Sequence, residues 1–107
     1  MTSADALVAK LEEVAAFFRS YRDDDFAPRY LETCARLIRE KNFQGVVDAG
    51  RAYRMTGPMD TAIRPLNGYD VDPADQPAVD AQFDRLYNEL ADAIEQVRQD
   101  YGQTGLP

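Results

Sequence analysis

Residues 77–101 read PAVDAQFDRLYNELADAIEQVRQDY, and this stretch decides the fold. Val79, Phe83, Leu86, Leu90, Ala93, Val97 and Tyr101 recur at spacings of four or three, which puts one apolar stripe along one side of a helix. Pro77 suits the first turn, where its missing N–H would have no partner, and Gly102 is a natural stop. About 25 residues at 1.5 Å each make a helix of about 37 Å. A stripe of that length needs apolar partners along all of it, so the rest of the chain must supply them.

Three upstream segments carry the matching pattern. A first helix over about residues 3–22 begins at Thr2 or Ser3, either able to cap exposed N–H groups. Leu7, Leu11, Val14, Phe18 and Tyr21 line its face, widened by Val8 and Ala15. Asp23-Asp24-Asp25 ends it. A second helix over 28–41 starts at Pro28, buries Tyr30, Leu31, Cys34, Leu37 and Ile38, and closes at Lys41-Asn42. A third, over 43–53, shows Phe43, Val46, Val47 and Tyr53 but holds Gly45 and Gly50, each costing about 1 kcal/mol against alanine inside a helix. The two glycines either weaken this helix or permit close approach of another one, and the sequence does not distinguish these. Residues 54–76 hold the turn signals Gly57-Pro58 and Asn67-Gly68 and form a long connection, expected to be ordered because Met55, Met59, Ile63, Leu66 and Tyr69 can pack on the bundle. No segment reads as strand. The expectation is a single all-α domain spanning 1–107, an antiparallel bundle of three to four helices with a long ordered loop before the last helix.

Charge is unevenly distributed along this bundle. Residues 1–50 carry a net of −2, residues 51–64 a net of +2 from Arg51, Arg54 and Arg64 against Asp60, and residues 65–107 a net of −7. The overall −7 argues against nucleic acid and against anionic membranes, both of which are bound mainly through Lys and Arg. The longest apolar run, Val14–Phe18, is far shorter than the roughly 20 residues of a bilayer span. The start of the chain has no basic region followed by an apolar run, and one cysteine cannot form an internal disulfide, so a cytoplasmic protein is expected.

Catalytic and metal chemistry lack their usual residues. There is no histidine, so Ser3, Ser20 or Cys34 has no ordinary base, and a zinc site cannot be assembled. Asp70–Asp75 has calcium-like spacing, but Asp75 stands where an EF-hand loop needs glycine and Ala81 where it needs a bidentate Glu. No cofactor or metal is expected, and no enzyme activity. Two surfaces are left. The acidic side of the last helix, with Asp80, Asp84 and Asp92, suits a basic protein partner, with Tyr87, Tyr69, Met55 and Met59 as apolar contacts at its margin. The alternative is a small anionic ligand, phosphate or carboxylate, held by Arg51, Arg54 and Arg64, although pairing of these arginines with Asp80, Asp84 or Glu89 of the last helix is the commoner arrangement.

The order of short motifs adds a resemblance. Asn42-Phe43-Gln44-Gly45-Val46-Val47, the turn Met55-Thr56-Gly57-Pro58-Met59-Asp60, Pro65-Leu66-Asn67-Gly68, and Leu86-Tyr87-Asn88-Glu89-Leu90 together resemble a family of small bacterial all-helical proteins of unknown function. That family's turn typically reads Gly-Met-Gly-Ser-x-Asn-Asp, and here Arg54 and Thr56 stand where glycines are usual. The resemblance implies a bacterial origin and a likeness to compact acidic immunity proteins made beside secreted toxins. The function expected is therefore a non-enzymatic inhibitor that binds a cognate toxin through an acidic surface.

Overall fold

The computed structural model describes residues 2–20, 27–55, 72–102 and 105–106, with the side chains of 27–29 and 52–55 outside that description. Among the described residues it is all-α: α1 (Ser3–Arg19), a π-helical segment (Ala27–Glu32) running directly into α2 (Thr33–Arg39), α3 (Gln44–Met55) and α4 (Gln76–Tyr101). The loop expected over 54–76 falls mostly on residues 56–71, which lie outside the described residues, as does Tyr21.

Local chemistry sets the helix boundaries. Thr2 caps α1 through a capping box: its hydroxyl accepts from the Asp5 N–H at 3.1 Å, and the Asp5 carboxylate accepts from the Thr2 N–H at 3.1 Å. The Thr2 N–H, and after it the Thr2 hydroxyl, hold the Asp5 carboxyl below its usual range. At the far end, the Ser20 hydroxyl donates to the Phe17 carbonyl at 2.6 Å, and α1 stops at Arg19 rather than reaching residue 22. The second predicted helix is real but begins with a wider π winding, for which the apolar spacing carries no signal. It ends in a Schellman turn, with Lys41 N–H donating to the Ile38 carbonyl and Asn42 N–H to the Leu37 carbonyl, both at 2.9 Å. Lys41 takes the left-handed φ of 63° that this turn requires. The Asn42 side chain then accepts from the Gln44 N–H at 2.9 Å and leads the chain into α3.

α1 packs on α2 and α4, and α3 packs on α2 and α4, so the four helices surround one core. The direction of packing follows from named pairs. Lys10 meets Glu89 while Phe18 meets Phe83 and Tyr87, so α1 and α4 are antiparallel. Arg39 meets Glu12 while Arg19 meets Glu32, so the second helix is antiparallel to α1 as well. Leu7, Leu11, Val14, Phe18, Leu31, Val46, Leu86, Leu90 and Val97 have essentially no exposed surface. α4 starts one residue before Pro77, and Asp75 occupies its N-cap position without a side-chain cap bond, while the Asp72 carboxylate accepts from the Ala74 N–H at 2.9 Å in the preceding turn.

Gly45 shows what the third helix needs glycine for. A Cβ there would lie 2.8 Å from the Cys34 carbonyl oxygen and 2.9 Å from side-chain carbons of Leu37 and Ile38, so α2 and α3 touch backbone to backbone. Gly45→Ala is expected to lower stability by about 1–3 kcal/mol through overpacking, outweighing the roughly 1 kcal/mol that alanine gains in helix propensity. Urea unfolding checks the sign, and a more stable variant would contradict the close approach.

Cys34 is buried in the same seam, and burial, then the nearby Asp48 charge, pushes its thiol up to about 11. The thiolate is the reactive form. Iodoacetamide at pH 8 is therefore expected to alkylate the folded protein at least about 100-fold more slowly than the urea-unfolded chain. Mass spectrometry over a time course reads this directly. Equal rates would mean that the α2–α3 seam is open.

A candidate docking surface on the last helix

α4 lies between α1 and α3, and a helix flanked on two sides buries a wide arc. Val79, Phe83, Leu86, Tyr87, Leu90, Ile94 and Val97 are buried. The single stripe read from spacing omits two of these, Tyr87 and Ile94, because each sits one register beside it. Tyr87 is therefore not an aromatic anchor at the margin of the acidic face. It is 2% exposed, with its ring 4.3 Å from that of Phe83 and edge-on to Phe18 at 6.4 Å.

The opposite side of α4 is polar. Asp84, Asp92, Glu95 and Asp100 are exposed, while Asp80 is half-buried and accepts from Gln76 Nε2 at 2.8 Å. At 3.6 residues per turn, Asp84, Asn88, Asp92 and Glu95 fall within about 80° of arc. Glu95 accepts from Gln99 at 3.5 Å and Asp100 from Gln96 at 3.0 Å, both uncharged donors. Among the described residues, Asp84, Asp92 and Glu95 have no ion pair. Arg98, also exposed, stands in the last turn, where a cation complements the helix dipole.

Among the described residues, three glutamates elsewhere are paired across helix seams. Arg39 bridges to Glu12 at 2.6 Å, and Arg19 makes a two-pronged contact with Glu32 at 2.7 and 2.8 Å. Glu89 lies at the edge of α4 facing α1, where Lys10 reaches it at 2.8 Å and also touches Glu13 at 3.2 Å, with Arg85 3.6 Å from Glu89. The acidic face thus has a boundary, and Lys10 and Arg85 mark it. Nothing in the spacing told which residue across the seam would answer Glu89.

The Lys10 hydrogen bond, followed by the charges of Lys10 and Arg85, holds the Glu89 carboxyl below its usual range. A carboxyl lowered in the folded state stabilises the fold above its unfolded pKa, and that contribution is lost as pH falls through the folded value. Lys10→Met is expected to return Glu89 toward the ordinary carboxylate range and to flatten the acid limb of the stability curve. A carbon-detected NMR titration of Glu89 in both proteins tests this, and an unmoved Glu89 would rule the link out.

The remaining candidate residues do not assemble into a site among the described residues. Arg51 is exposed and lies 3.7 Å from Asp48, three residues back on its own helix. Arg64, Met59 and Tyr69, and the side chains of Arg54 and Met55, lie outside the described residues. A cleft of about 560 Å³ that spacing did not suggest runs between the start of α1 and the end of α2, beside Leu106, and a second of about 350 Å³ lies over Ala15, Ala16 and Ala35. Among the described residues, no helix is long and apolar enough to cross a membrane. Comparison with known protein families, with characterised proteins and with solved structures yields no match.

Proposed function

We propose that this protein is a non-enzymatic binding module that docks through the outer face of α4 on a basic protein, in the manner of an immunity protein blocking its toxin. One observation carries the reading. Asp84, Asp92 and Glu95 stand exposed without an ion pair among the described residues, whereas Glu12, Glu32 and Glu89 are each matched by a cation across a seam. Asp5, Asp72, Asp75 and Asp100 are also exposed without an ion pair among the described residues, but Asp84, Asp92 and Glu95 share one arc of a single helix. Charge clustered in that way suits electrostatic steering, in which complementary potential speeds encounter and suppresses wrong partners. The resemblance to small bacterial helical proteins supports the choice of a toxin as partner and the cytoplasm as the place of action.

The test is to co-express the tagged chain with the neighbouring open reading frames of its native genome. A one-to-one complex with a basic protein, together with relief of that protein's toxicity, is the expected result. A chain that purifies alone and protects against nothing would overturn the reading.

A further inference from the structure

We draw no further inference here: the strongest candidate, the cleft of about 560 Å³ between the start of α1 and the end of α2, is spanned by the Glu12–Arg39 ion pair, and nothing in the structure shows what covers it.

Discussion

Replacing Phe18 with alanine is expected to lower the unfolding free energy by about 3–5 kcal/mol. Phe18 has no exposed surface, and its ring lies 5.8 Å from Phe17, 6.0 Å from Phe83 and 6.4 Å from Tyr87. The substitution removes both its apolar burial and the aromatic edges that hold α1 against α4, and neighbouring rings cannot collapse fully into the space. A domain of this size is stable by only about 5–15 kcal/mol, so the loss is at least about a fifth of the total. Urea denaturation followed by circular dichroism measures it, with an unchanged m-value expected if both states keep their compactness. A cost below about 1 kcal/mol would mean that this seam is not close-packed, since truncation of a buried Phe is otherwise among the most damaging changes. α4 is held in place by that seam, so the geometry of the acidic face depends on it.

The second large effect concerns binding. In the triple variant Asp84→Asn, Asp92→Asn, Glu95→Gln, association with the basic partner is expected to slow by about 10–100-fold at low salt, the range that electrostatic steering supplies. The difference should shrink near 0.5 M salt, where the screening length falls to about 4 Å. Folding stability should barely change, because these exposed carboxylates make no ion pair among the described residues and relieving like charge on one helix face is mildly favourable. A matched control separates local from global charge. Neutralising Glu12, Glu32 and Glu40 instead alters the net charge by the same amount at carboxylates paired with Arg39, Arg19 and Arg36, away from α4. Stopped-flow association at two salt concentrations compares the pair. Equal slowing in both variants would show that only net charge matters, and the α4 face would lose its assignment.

Much of the fold is legible in the order of residues because a helix in water must hide one side. The spacing of Val79, Phe83, Leu86, Leu90, Ala93, Val97 and Tyr101 is enough to predict α4; Ala93 and Tyr101 are half-buried and the others buried. The N-cap at Thr2 and the stop at Gly102 follow from residues whose chemistry acts within one turn. These are local properties, and local properties survive in one dimension.

The candidate site was legible only in outline. That the last helix is acidic is plain from composition, but which acids are available is a question about neighbours. Glu89 is taken by Lys10, 79 positions away in the chain, while Asp84 and Asp92 point to where no described cation answers. The sequence pattern places Tyr87 at the margin of the acidic face, and it is buried because a second flanking helix widens the buried arc of α4. The same dependence on neighbours holds for Gly45, whose sequence cost in a helix becomes a gain only when Cys34 and Ile38 are brought against it. The sequence by itself therefore determined which segments are helical and, to within a few residues, where they begin and end, since those depend on interactions within a few residues. Only the tertiary structure decided which charges are paired across the helix seams and which stand without an ion pair among the described residues, because neutralisation depends on distances between residues far apart in the chain.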